Sequence, residues 1–388
     1  MPVINSIAAN HDEMTAWRRD LHAHPEIGFE EVRTAGIVAE KLQSWGIEVH
    51  TGIAKTGVVG VLKGRGQTGR AIGLRADMDA LPMTEETGLP YQSQNPGAFH
   101  GCGHDGHTTM LLGAARYLSE TRNFDGTVVF LFQPAEEGAG GGRVMVEEGV
   151  FDRFPCDEVY ALHNWPMLPV GELGIVAGPA MAATDTFSVT VSGVGGHAAM
   201  PQRTVDPIVI ASQIVTAWQS LVSRTTDPIK SAVLSVTQFH AGSAFNVIPA
   251  DVTLSGTVRT FDRDVRDGIR DGMTRLAEGI AAGFGGSAQV AYVEGYPATV
   301  NPPDYADQTT RIAEGVVGTG NVRRDLDPVM GGEDFSYMLN ERPGTYVLVG
   351  QDGGPTACSV HNPKYDFNDA ILPIGASLLA TLAEQRLR

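Results

Sequence analysis

The segment Thr127–Phe132 (TVVFLF) has no polar face. A strand of that kind cannot lie with one side in water, so the fold has to cover it on both. Val159–Leu162 is a second run of this type, and Gly57–Leu62, Ala71–Arg75 and Thr345–Val349 read as further strands. Segments of helical spacing lie between them. These are 12–22, 31–45 (Val32, Ile37, Val38, Leu42, Trp45) and the mostly apolar Thr108–Ser119. Helices alternating with such strands predict an α/β layer structure.

From about residue 185 the pattern changes. Thr186–Val191 alternates apolar and polar residues, and Asp206-Pro207 opens a helix with a capping carboxylate and a proline at its first turn. Strands at 232–239 and 252–261, a helix at 264–283 and a strand near 288–293 follow. The order β-α-β-β-α-β is that of a ferredoxin-like module. Afterwards α/β character returns, with a helix near 304–317 and a last one toward Leu387. The expectation is a discontinuous α/β domain, 1–184 and 295–388, with a mixed sheet, interrupted by an α+β domain at 185–294.

The chain has 388 residues, enough for two domains, and a formal net charge of −17. No basic stripe suggests a nucleic-acid or anionic membrane partner. No apolar run approaches the ~20 residues of a spanning helix. The N-terminal residues lack a basic start and an apolar stretch, so no secretion signal is expected. Three cysteines, Cys102, Cys156 and Cys358, do not make a disulfide framework and suit a reducing cytoplasm.

The chemistry is concentrated in four places. Gly101-Cys102-Gly103-His104-Asp105-Gly106-His107 precedes the 108–119 helix, and thiolate with imidazole suits a borderline-soft divalent metal. The alternative is a helix entrance with incidental polar residues. Glu136-Glu137 follows the apolar 127–132 strand; a metal could take one carboxylate while the other handles protons, or the pair could be a solvated turn. His163 follows the strand at 159–162, and His361 follows the strand at 345–349 and a glycine loop. Sites in open α/β sheets form beyond the carboxyl ends of strands, and all four segments could reach one such edge. Cys102, His104, Glu137, His163 and His361 together match a two-metal site with one bridging ligand. Asp79, beyond the 71–75 strand, could orient an imidazole, and Asp77 could do so or lie in a surface turn.

Other motifs lead elsewhere. Gly64-x-Gly66-x-x-Gly69 fits the dinucleotide fingerprint but precedes a strand instead of a helix, so it reads as a hairpin loop. His22 and His24 lie at a helix exit closed by Pro25 and suit a structural role. Cys358-x-x-His361 could form a metal pair, or Cys358 could be a core or loop thiol. No G-x-S-x-G elbow or H-E-x-x-H motif is present.

HGCGHDGH, QPAEEG, ALHNWP, GGHAAMP, AFNVIP and VHNPKYDFND occur in this order across the chain. The series resembles the M20 metallopeptidase clan, in its amidohydrolase branch of hippurate hydrolases, N-acyl-amino-acid amidohydrolases and auxin-conjugate hydrolases. The resemblance implies a dinuclear catalytic domain with an inserted lid, hydrolysing the amide bond of small-molecule N-acyl amino acids. By motif, Cys102 would bridge two divalent ions (zinc, manganese, cobalt or nickel). His104 and His163 would complete one, Glu137 and His361 the other. Glu136 would be the general base. His197 would contact the oxyanion or substrate, in relatives often from the partner subunit of a homodimer, and Asn246 and Arg259 would be further substrate contacts. The chain departs from the common pattern at Met167, Ala198, Gln202 and Gly332, none of them a proposed ligand. A carboxypeptidase or dipeptidase on the same scaffold is one alternative; a non-catalytic metal-binding protein is another.

Overall fold

The computed structural model describes residues 3–354 and 356–388. They divide into two compact units: residues up to 180 with Val300–Asp327 and Asp334–Arg388, and Met181–Thr299 with Pro328–Glu333. The second thus begins before residue 185, ends after 294, and takes in 328–333.

The first unit is α/β. Its eight-stranded mixed sheet runs in the order Glu48–Ile53, Gly57–Lys63, Asp125–Gln133, Gly66–Asp77, Glu158–Pro169, Gly344–Asp352, Leu173–Gly174, Val322–Arg323. The four central strands, from Asp125–Gln133 to Gly344–Asp352, are mutually parallel. Phe130, Phe132, Leu74, Tyr160 and Val347 join one core with Met110, Leu111 and Leu378 of the helices His104–Thr121 and Leu372–Arg386. The helix Phe335–Glu341 packs on the strands Glu158–Pro169 and Gly344–Asp352, and the helix Gly141–Glu147 packs on Asp125–Gln133. The absence of a polar face in TVVFLF is accounted for, since every residue of Val128–Phe132 is buried.

Two expectations are corrected here. The strands Gly57–Lys63 and Gly66–Asp77 do not form a hairpin around the glycine motif; Asp125–Gln133 lies between them and pairs with both. The helix predicted from 108 begins at His104, because Gly103 adopts a left-handed conformation (φ 92°) that ends the preceding loop there. A Cβ at Gly103 would lie 2.4 Å from Asn164 Oδ1, so only glycine fits.

The first turn of that helix is tied to the helix His11–Ala23. Asp105 Oδ2 accepts from His22 Nδ1 at 2.8 Å, and Arg18 Nη1 lies 3.5 Å away. His22 has the structural role its setting suggested. Burial alone would lower its pKa, but hydrogen bonds to Asp105 and Glu85 override this and raise it to about 9.

The second unit holds an antiparallel sheet in the order Ala232–Ala241, Asp251–Thr260, Ala183–Ser192, Ser287–Glu294. With the helices Pro207–Ser220 and Arg263–Gly283 this is the ferredoxin-like arrangement. Asp206 caps the first helix through Ile208 N, and Asp262 caps the second through Asp264 N and Val265 N. Phe187, Val189, Leu254 and Trp218 lie in the core, while Ser188 and Thr190 alternate outward. No helix among the described residues is long and apolar enough to cross a membrane.

The His22 pKa is raised on folding, from 6.5 to about 9. Its contribution to stability is therefore complete below pH 6.5 and is lost as pH rises through 9. The melting temperature at constant metal loading is expected to fall across that interval, and to fall less in His22→Gln. Equal slopes in the two proteins would refute the link.

Candidate functional site

Parallel register builds the site. Asp77 pairs with Gln133 across one strand boundary, and His163 lies as far beyond Ala161 as Asp77 lies beyond Arg75, the last pair on the other side. The carboxyl ends of the strands Asp125–Gln133 and Gly66–Asp77 are thus level with His163. His163 does not follow its strand, as the sequence suggested, but sits inside the longer Glu158–Pro169. Residues 164–169 continue the strand despite two prolines.

Beyond Gln133 the chain turns sharply. Ala135 has φ 54°, and Glu136 and Glu137 follow it, Glu136 only 7% exposed. Beyond Asp77 comes Asp79, also buried. One oxygen of Asp79 accepts from His104 Nδ1 at 3.1 Å and the other from the backbone N–H of Glu137 at 2.9 Å. A single carboxylate therefore orients two of the candidate ligands. His163 donates Nδ1–H to its neighbour's carbonyl, Asn164 O, at 2.7 Å, which leaves Nε2 as the lone-pair nitrogen. Nε2 lies 3.4 Å from Cys102 Sγ. His361, at φ 64°, is held by its backbone N–H on Gly101 O and brings Nε2 to 3.1 Å from Glu137 Oε1.

All five candidate ligands converge. Donor atoms of Cys102, His104 and His163 lie within 4.8 Å of one another, and so do those of Cys102, Glu137 and His361. Cys102 belongs to both trios. Of two buried atoms here, His104 Nε2 has no hydrogen-bond partner and Glu137 Oε1 has only the His361 imidazole beside it, in no hydrogen-bond geometry. Buried polar atoms are seldom left so, and a divalent cation would satisfy both. Sulfur, imidazole and carboxylate form a donor set that fits such an ion. Burial, then Glu137, pushes the Cys102 thiol well up. Burial opposes protonation of His104, but Asp77 and Cys102 outweigh it and hold its pKa high.

The remaining candidates sit in the second unit. His197 is exposed, in a two-residue ribbon where Val247 pairs with it, and the backbone carbonyl of Asn246 accepts from Ala198 N. Arg259 turns its guanidinium back onto the carbonyl of Val258 at 3.0 Å.

Sequence reasoning missed most of the layer beneath the candidate ligands. Arg75 is fully buried and donates to Gln133 Oε1 (2.8 Å), Asp77 Oδ2 (2.7 Å) and Asp334 Oδ1 (3.0 Å). Asp77 is no surface turn, since its other oxygen accepts from His107 Nδ1 at 2.6 Å. Burial opposes its ionisation, but His104, Arg75 and His107 hold its pKa far below the usual carboxylate range. Asn164 contacts His107 and donates to the Tyr365 hydroxyl. Of this group the sequence had singled out Asp77 as a possible imidazole partner, and the third histidine of HGCGHDGH, His107, stood in a motif without an assigned role.

Residues 73–385 match the family described as peptidase family M20/M25/M40. The chain belongs to that family. It is 40% identical over its whole length to the full hippurate hydrolase of Campylobacter jejuni. It is 48% identical to the N-acyl-L-amino acid amidohydrolase of Geobacillus stearothermophilus, over 74% of this chain and 78% of that protein. Among solved structures, a Bacillus subtilis protein described as a dinuclear metal binding peptidase from the M20 family superposes with a TM-score of 0.85 at 35% identity, covering 98% of this chain and 99% of the other. The protein is a metal-dependent hydrolase acting on amides, which removes the non-catalytic alternative.

A thiol pushed upward must lose its proton to bind a cation, so metal affinity is expected to rise with pH across the neutral range. Metal titration at several pH values checks this. Cys102→Ala should lower the bound stoichiometry and flatten the dependence, and an unchanged stoichiometry would remove Cys102 from the ligand set.

Proposed function

We propose that this enzyme hydrolyses the amide bond of N-acyl amino acids, releasing a carboxylic acid and the free amino acid. The observation that carries the reading is a pair of ligand trios sharing Cys102, with the buried Glu136 beside them as a second carboxylate. The names of the relatives supply the substrate class.

Cys102, His104 and His163 would hold one ion and Cys102, Glu137 and His361 the other. Two bound divalent ions, whether zinc, manganese, cobalt or nickel, supply Lewis-acid polarisation of a water molecule and of the scissile carbonyl. Glu136 takes the proton from the attacking water and returns it to the leaving nitrogen, acting first as base and then as acid. Asp79 keeps His104 in the tautomer that turns Nε2 outward and fixes the backbone of Glu137. His197 stabilises the oxyanion as the tetrahedral centre forms. Arg259, with Asn246, pairs with the substrate carboxylate, where the guanidinium fork suits two oxygens. The reading carries with it a homodimer in the cytoplasm, with the inserted unit as lid.

Glu136→Gln should retain its metal while turnover falls by about 10²–10⁴-fold. Full activity in that variant would disprove the base assignment. With N-acyl amino acids and dipeptides offered side by side, the acyl compounds should be cleaved faster; preference for dipeptides would favour a carboxypeptidase or dipeptidase. Arg259→Ala should weaken cleavage of carboxylated substrates far more than of their carboxamide analogues. Equal losses would refute the pairing.

A further inference from the structure

Glu31 is completely buried, and its carboxyl group belongs to neither ligand trio. One of its oxygens accepts from the backbone N–H of Ala135 at 2.9 Å, and the other accepts from the Thr56 hydroxyl. Ala135 is itself fully buried, and its φ of 54° lies in the left-handed region, which a residue with a Cβ adopts only at a cost. It immediately precedes Glu136. The same turn is held at two further points: Gly141 N–H donates to Ala135 O at 2.9 Å, and Glu137 N–H donates to Asp79 at 2.9 Å. On another side stands Gly28, where a Cβ would come within 2.9 Å of Ala135 Cβ and 3.0 Å of its Cα.

Disfavoured backbone persists only where its surroundings over-determine it, and such residues cluster at working sites. Here the consequence is directional. If residue 135 relaxed to the right-handed region, the next peptide would rotate and the Glu136 side chain would leave its present direction, while Glu137 keeps its backbone tie to Asp79. Glu31 lies far back in the sequence, and an apolar side chain in its place would leave the Ala135 N–H buried without an acceptor.

We propose that Glu31 is a positioning residue for the hydrolytic reaction: its buried carboxyl holds Ala135 in the left-handed conformation and thereby sets the direction of Glu136. The proposal rests on the reading of Glu136 as the proton carrier. Burial pushes the pKa of Glu31 upward, so the turn needs an acceptor oxygen here more than a charge, and glutamine can supply one.

The test uses the metal-loaded full chain and the best N-acyl amino acid from the substrate panel, with kcat, KM, metal content and melting temperature measured for each variant. Glu31→Leu should lower kcat by about tenfold or more while KM and metal content stay within about threefold, because a small misplacement of a reacting group is costly. Glu31→Gln should keep kcat within about threefold, since the acceptor is retained. Ala135→Gly placed in the Glu31→Leu background should recover at least about fivefold in kcat, because glycine takes the left-handed conformation without the steric cost. A purely structural role would lower the melting temperature of Glu31→Leu and give no such recovery. A Glu31→Leu enzyme with wild-type kcat, or a loss that Ala135→Gly does not relieve, overturns the proposal.

If Glu31→Leu does not fold, Gly28→Ala presses on the same residue from outside. It should lower kcat, and Ala135→Gly, by removing the Cβ it meets, should restore part of the loss; an unchanged kcat overturns the proposal. Failure of the positioning role is distinct from failure of the parent reading. Wild-type Glu31→Leu beside an inactive Glu136→Gln removes only the former, whereas an active Glu136→Gln removes the base assignment itself.

Discussion

A fully buried guanidinium underlies the site. Arg75 has no access to water, and a charge in that position has to be paired and hydrogen-bonded or it destabilises the fold severely. Its partners come from three segments: Asp77 on its own strand, Gln133 on the adjacent parallel strand, and Asp334 from near the other end of the chain. Pairing one cation this way holds the carboxyl ends of two strands level. From Asp77 the order passes to His107 and Asn164, and from Gln133 to the turn that carries both glutamates. The candidate ligands thus lie next to a buried polar layer, none of whose members Arg75, Gln133, Asn164 and Asp334 is among the five candidate ligands. Removing one member leaves a buried charge uncompensated, so such residues should be felt in folding as well as in activity.

Left-handed backbone recurs around this layer. Gly103 leads into the helix that starts with His104, Ala135 precedes Glu136, and His361 is itself a candidate ligand. At Gly103 the reason is close approach, since Asn164 and the Tyr365 hydroxyl occupy the space of a side chain. At Ala135 and His361 a Cβ is present, and hydrogen bonds to Glu31 and Gly101 hold the conformation. Candidate ligands from distant segments meet beside turns that are locked by close approach or by hydrogen bonds. The cost of that locking is met by the surrounding core.

The fold class was legible because TVVFLF and Val159–Leu162 admit no other environment than a sheet covered on both faces. The edge strand Glu48–Ile53 (EVHTGI) went unseen: only Ile53 is buried, and its polar residues give no periodic signal. The helix start at His104 was hidden for the opposite reason, as its first turn is polar in sequence yet wholly buried. The candidate ligands were singled out by residue type at strand and helix ends, and the structure brings the five together. Arg75, Glu31 and Asn164 were not, because an ordinary arginine, glutamate or asparagine acquires its role only through burial against residues far away in sequence. Asp77 shows the limit well: a surface turn and a buried hinge of the site read alike until the neighbouring strands are in place.

The central claim is that one cysteine sulfur serves two cations. Anomalous diffraction from crystals of the metal-loaded protein measures it directly. The account predicts two peaks, one contacted by His104 and His163, the other by Glu137 and His361, with Cys102 Sγ touching both. A single peak, or two peaks of which Cys102 Sγ touches one or neither, would contradict it.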